Sequence, residues 1–296
     1  MMDIEEMRRR SRGLYVFAIT PFVEEGGRTL VDVEGVKRNI EFWVENRVPV
    51  VVACGGVGEL WQLDEDEHMQ VVRAAVEQAS GRIVVFAGVT GDTRECIAGA
   101  RRLQDAGADG ALLFWTGRGR EALIDFYMQV SSAVDVGLMP FRIDDTVDVE
   151  TIHRLADITN VVALKEESER LDDFESIVRE AGDRIIIAGA GSDQLAPCFL
   201  LLGAGALTSS LANHLPTHLI EMWDAAQISD FRRVMEIQCA LRPVELMRQR
   251  YGLCVNKAAM DLIGQAGGPC RAGRSRLDDD VRDELRNNLE MLGAIL

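Results

Sequence analysis

The chain has 296 residues, with 48 acidic and 32 basic side chains and a net charge of −16. That balance excludes the concentrated positive surface a nucleic-acid backbone requires, while leaving room for a small anionic ligand that needs only one local positive group. With 47% hydrophobic and 27% charged residues the chain can bury one barrel-sized core or two smaller ones, and no apolar run reaches the length that spans a bilayer.

Residues 1–12 are charged and contain no apolar stretch, so they do not read as a signal peptide. Short, almost uninterrupted apolar runs follow at 15–20, 48–53, 83–88, 110–114, 137–141, 161–165, 185–188 and 206–209. Parallel strands buried on both faces read this way. Between them lie stretches of helical spacing at 32–46 (Val33, Val36, Ile40, Trp43), 64–79 (Val71, Val72, Ala75, Val76), 93–106, 121–134, 149–158, 171–181 and 194–202. Several of these begin at or just after Asp, Thr or Ser, which cap helix N-termini. The stretch Ala106-Gly107-Ala108-Asp109-Gly110 reads as a helix end turning into a strand.

Eight such strands alternating with helices predict an α/β fold, a (β/α)8 TIM barrel over residues 1–225. An open doubly wound sheet is the alternative; the strand count and the lack of a Gly-x-Gly-x-x-Gly after the first strand weigh against it. Residues 217–296 look helical, which gives a C-terminal helical extension at 226–296. The six cysteines are scattered singly and read as reduced thiols of a cytoplasmic protein. His214 and His218 could share a helix face, but no neighbouring cysteine or carboxylate cluster completes a metal set, so no metal and no cofactor are expected.

In such barrels chemistry sits at the C-terminal ends of the strands. That rule selects Thr20-Pro21, the loop Gly55-Gly56-Val57-Gly58-Glu59, Phe141-Arg142, Lys165, Gly189-Ala190-Gly191-Ser192-Asp193, and Thr208-Ser209-Ser210. Only three lysines occur, Lys37, Lys165 and Lys257, so arginine supplies most of the positive charge. A guanidinium cannot form an imine, whereas a lysine amine at the mouth of an apolar pocket can lose its proton and attack a carbonyl. The plainer reading makes Lys165 the first solvated residue after a strand. The glycine loop, rich in backbone N–H groups, can cradle a carboxylate or phosphate; equally, it can be a simple turn.

Together these positions resemble the dihydrodipicolinate synthase/N-acetylneuraminate lyase superfamily, from Ala18-Ile19-Thr20-Pro21-Phe22 through Gly55–Glu59 and Lys165 to Thr208-Ser209-Ser210-Leu211-Ala212-Asn213. The nearest branch by loop sequence is the 5-dehydro-4-deoxyglucarate dehydratases, whose Ala-Gly-Gly-Thr-Gly-Glu is similar to Cys54–Glu59, and whose C-terminal stretch resembles 251–268 around Asn256-Lys257. The resemblance implies class I chemistry: Lys165 condenses with a 2-keto acid, and the resulting cation serves as an electron sink. It implies that Gly55, Gly56, Val57 and Gly58 hold the substrate carboxylate, with Arg142, Gly191, Ser209 and Ser210 lining the rest of the site. It also implies a homo-oligomer, dimer or tetramer.

Two departures stand out. The family places a tyrosine at the end of the fifth strand to relay protons; Phe141 aligns with it here, or Pro140 after a one-residue shift, and neither carries a hydroxyl. It places a threonine where Val57 stands. The loop 115–120 also lacks the tyrosine that dihydrodipicolinate synthases carry, which counts against lysine biosynthesis. Two readings follow. One is a Schiff-base lyase, aldolase or dehydratase of a sugar-derived 2-keto acid, with Ser209, Ser210 or Arg142 relaying protons. The other is a degenerate member that binds a keto acid or sugar acid without turnover.

Overall fold

The computed structural model describes residues 2–143, 147–191 and 193–295. The eight apolar runs all become strands: β1 (Gly13–Phe17), β2 (Val50–Ala53), β3 (Val84–Gly91), β4 (Gly110–Trp115), β5 in two pieces (Gly137–Met139 and Phe141–Arg142), β6 (Ala163–Glu166), β7 (Ile186–Gly189) and β8 (Ala206–Ser209). The pieces of β5 flank Pro140, which has no N–H to donate to a ladder; its carbonyl still accepts from Lys165 N at 2.9 Å. All ladders between these strands are parallel. Followed neighbour to neighbour, the sheet runs from the first piece of β5 through β4, β3, β2, β1, β8, β7 and β6 to the second piece of β5. It therefore closes on itself, and the architecture is a (β/α)8 barrel.

Helices follow the strands: α1 (Val33–Glu45), α2 (Glu65–Ala79), α3 (Thr93–Asp105), α4 (Arg120–Ser131), α5 (Val149–Ala156), α6 (Leu171–Ala181), α7 (Ala196–Leu201) and α8 (Pro216–Gln227). Aspartates start four of them: Asp32 and Asp148 cap α1 and α5, and Asp64 and Asp92 form capping boxes with Glu67 and Glu95 at α2 and α3. Three more helices follow, α9 (Phe231–Tyr251), α10 (Cys254–Leu262) and α11 (Asp279–Met291). The expected boundary at 225/226 falls in the last turn of α8. No helix among the described residues is long and apolar enough to cross a membrane.

Side chains alternate across each strand. Tyr15, Phe17, Val50, Val52, Val84, Phe86, Leu112, Met139, Ala163, Ile186, Ala188 and Ala206 fill the barrel interior. Leu14, Val16, Val51, Val85, Leu113, Leu138, Leu164, Ile187 and Leu207 pack outward against the helices. Two elements were not anticipated. An N-terminal helix, Ile4–Arg10, puts fully buried Met7 among the interior side chains and so plugs the N-terminal end. A hairpin, Phe22–Glu25 with Arg28–Val31, turns on Gly26 and Gly27, whose φ values of 57° and 76° suit glycine.

The C-terminal segment is clamped to the barrel by Glu59. Its Oε1 lies 2.6 Å from Lys257 Nζ, both side chains being 1% exposed. Its Oε2 accepts from Arg271 N and Ala272 N, each at 2.8 Å. Lys257 also donates to Pro269 O at 2.7 Å. Glu59 thus ties the glycine loop to residues 212 and 213 positions further along the chain. Removing one partner of a buried pair leaves an uncompensated charge. Glu59→Gln is expected to lower the unfolding free energy by about 3–5 kcal/mol in a urea titration. A variant as stable as the wild type but without activity would instead make Glu59 a proton-transfer group.

Candidate active site

The parity of β6 decides where its lysine goes. Ala163 points into the barrel and Leu164 out, so Lys165 points in, at the C-terminal end of the interior stack. β1 brings Phe17 to the same level, and β5 brings Phe141, the register partner of Lys165. Lys165 Nζ lies 4.5 Å from the Phe17 ring centroid and 4.4 Å from that of Phe141. It pairs with the carboxylate of Glu167. Burial pulls the ammonium below the usual lysine range, against the opposing effect of Glu167. Lys165 is therefore not a solvated residue trailing a strand, because its side chain is 13% exposed.

Above this amine opens a cavity of about 440 Å³. Phe141, Phe114 and Trp61 form one aromatic wall, in successive edge contacts with centroids 5.2 and 5.3 Å apart. Gly56 and Val57 form another side. Thr208, Ser209 and Ser210 of the β8 end also line it, with Gly191, Asp193, Glu167 and, from α9, Arg248. The Cys54–Glu59 loop is bent by positive φ at both ends, 50° at Cys54 and 58° at Glu59.

The expected site residues divide accordingly. Lys165, Phe141, Gly56, Val57, Gly191, Ser209 and Ser210 line the cavity. Gly55 and Gly58 lie beneath the loop: a Cβ on Gly55 would meet the Phe17 ring at 3.2 Å, and one on Gly58 would meet Ala18 O at 2.9 Å. They shape the turn and are not among the residues lining the cavity. Arg142 is a correction. It shares the outward parity of Leu138, and its side chain is 1% exposed on the far side of the barrel wall. There it reaches Glu166 at 3.0 Å, Asp173 at 2.6 Å, Ser168 Oγ at 2.8 Å and Val147 O at 2.6 Å. It can neither bind substrate nor relay protons in the cavity. Of the Gly189–Asp193 run, Ser192 lies outside the described residues.

Glu167, Asp193, Glu245, Arg248 and Gln249 line the cavity but were not chosen as site residues from the sequence. Glu167 follows Lys165 by two residues, so strand alternation alone could have placed it inside. Asp193 closes the run in which Gly191 was chosen. Loss of solvent raises its carboxyl to about 7, with a hydrogen bond from Ser209 pulling the other way. Arg248, whose buried Nε has no hydrogen-bond partner among the described residues, comes from a helix beyond the barrel, and no local pattern announces it.

With this geometry in place, comparison with known proteins is specific. The chain matches the Dihydrodipicolinate synthetase family over residues 10–292. It is 31% identical over 289 residues to the 4-hydroxy-tetrahydrodipicolinate synthase of Methanoculleus marisnigri, covering 94% of this chain and 98% of that one. It is 32% identical over 286 residues to the enzyme of the same name from Methanospirillum hungatei, covering 94% and 98%. Among solved structures, dihydrodipicolinate synthase from Aquifex aeolicus superposes with a TM-score of 0.86 at 29% identity, covering 96% of this chain and 99% of that one. The chain belongs to the dihydrodipicolinate synthetase family of Schiff-base-forming lyases.

Proposed function

We propose that this protein is a class I lyase or dehydratase of a sugar-derived 2-keto acid, with Lys165 as the imine-forming amine. The observation that carries this is the desolvated Lys165 Nζ, held between two phenyl rings in a cavity that has an aromatic wall and several polar side chains. Burial favours the neutral amine, which is the nucleophile. The substrate carboxylate rests against the backbone of Gly56 and Val57, which supply N–H groups in place of a threonine hydroxyl. The carbonyl carbon then sits over Lys165, and the imine cation draws electrons from the bond that breaks.

The rest of the cavity supports a hydroxylated chain. Thr208, Ser209 and Ser210 present polar groups along one side, and Asp193 can keep its proton near neutral pH and donate it. Arg248 offers a charge-assisted contact to a distal oxygen or carboxylate. The 5-dehydro-4-deoxyglucarate dehydratases, resembled in the Cys54–Glu59 loop, go with this reading. The named relatives make a synthase activity the runner-up.

Borohydride with pyruvate or a related 2-keto acid is expected to trap a covalent adduct, read by intact mass. Lys165→Arg keeps the charge and should abolish the adduct. A wild-type protein that traps nothing from a broad panel would be a binding-only member. Arg248→Met is expected to raise KM for a hydroxylated or dicarboxylic keto acid about 10–100-fold, the value of one charged hydrogen bond, while pyruvate trapping stays unchanged. Equal loss for both ligands would remove Arg248 from substrate recognition.

Asp193 also gives a pH test. Its folded carboxyl, at about 7, lies above its ordinary value of 3.8, so the folded state holds a proton that the unfolded chain has released. Its contribution to stability is therefore greatest at acid pH and declines as pH rises from about 4 to about 7. Asp193→Asn should gain stability relative to wild type between pH 5 and pH 8 in parallel urea titrations; parallel curves would mean that the carboxyl ionises freely.

A further inference from the structure

Among the described residues, three side chains are recorded against Lys165 Nζ: the rings of Phe17 and Phe141, and the carboxylate of Glu167. Neither ring has an exchangeable proton, so of these three only the carboxylate can take or give one. Its position is fixed by backbone. Glu167 N donates to Arg142 O at 2.7 Å, and the alternation that buries Glu166 against Arg142 turns Glu167 back to the cavity. The Glu167 side chain is 34% exposed, wet enough to exchange protons with solvent between turnovers.

We propose that Glu167 is the catalytic proton carrier of imine formation, an assignment that rests on the Schiff-base reading of Lys165. Its carboxylate takes a proton from the Lys165 ammonium. The freed amine adds to the keto carbon, and the carbonyl π pair moves to oxygen. A proton passes from the new ammonium centre to that oxygen, giving a neutral carbinolamine. Protonated Glu167 then donates to the hydroxyl, the C–O bond breaks, water leaves, and the nitrogen lone pair completes the C=N bond. Ketone and ammonium have become protonated imine and water, and the carboxylate is restored.

A carboxylate that merely holds the ammonium predicts the opposite behaviour. Glu167 raises the affinity of Lys165 for its proton, so removing its charge alone would leave more free amine and speed trapping. A proton carrier, once removed, should slow trapping despite that gain. The test is the rate of borohydride-trapped pyruvate adduct formation at pH 7. Glu167→Gln is expected to slow it by about 10²–10⁴-fold, the usual worth of general acid–base help, with the same final adduct mass after long incubation. Trapping as fast as wild type, or faster, overturns the assignment while leaving Lys165 in place; a wild-type protein that traps nothing overturns both. If Glu167→Gln does not fold, Glu167→Asp carries the test, since withdrawing the carboxylate by one methylene should slow trapping with the fold intact, and an unchanged rate overturns the assignment.

Discussion

The structure turns on the cost of taking one ammonium out of water. Burying a charge costs several kcal/mol unless something offsets it. At Lys165 the offset is modest: one half-exposed carboxylate and the faces of Phe17 and Phe141, with cation–π contacts worth about 0.5–2 kcal/mol. Desolvation therefore wins, and the amine is easier to deprotonate than an ordinary lysine. Lys257 on α10 is under the same pull, since burial also draws its ammonium below the usual lysine range, so surroundings and position, not burial, separate the two. Lys257 has Glu59, a backbone carbonyl and the Phe22 ring around it, lines no part of the cavity, and serves as a fastener.

The surrounding fold keeps that balance in place. Pairing of Phe141 with Lys165 across β5 and β6 sets the ring over the amine. On the outer face of the same two strands, Arg142 ties β5 to Glu166 on β6 and to Asp173 on α6. One residue of register separates the cavity-facing pair from this outward-facing pair, so a slip would exchange their places. Farther out, the Glu59 clamp fixes both the glycine loop and the C-terminal segment, whose preceding helix α9 supplies Arg248 to the cavity.

Much of this was legible in the sequence, because the barrel is built from local patterns. The eight apolar runs, the aspartate caps and the lone strand-end lysine all carry their reason within a few neighbouring residues. Arg142 was misplaced because strand position was read without strand parity: one residue beyond inward-facing Phe141, it must face out. The same rule, applied to Lys165, would have found Glu167. The Gly26-Gly27 hairpin had a turn signal between two short alternating runs that went unread. Glu59 with Lys257, and Arg248 in the cavity lining, depend on segments far apart in the chain, and no spacing rule joins them.

The central claim is that one of three lysines is the nucleophile, and proteolytic mapping of the protein reduced in the presence of pyruvate tests it residue by residue. The added mass should fall on the peptide carrying Lys165, with those carrying Lys37 and Lys257 unmodified. Label on Lys37 or Lys257 with Lys165 untouched would contradict the account.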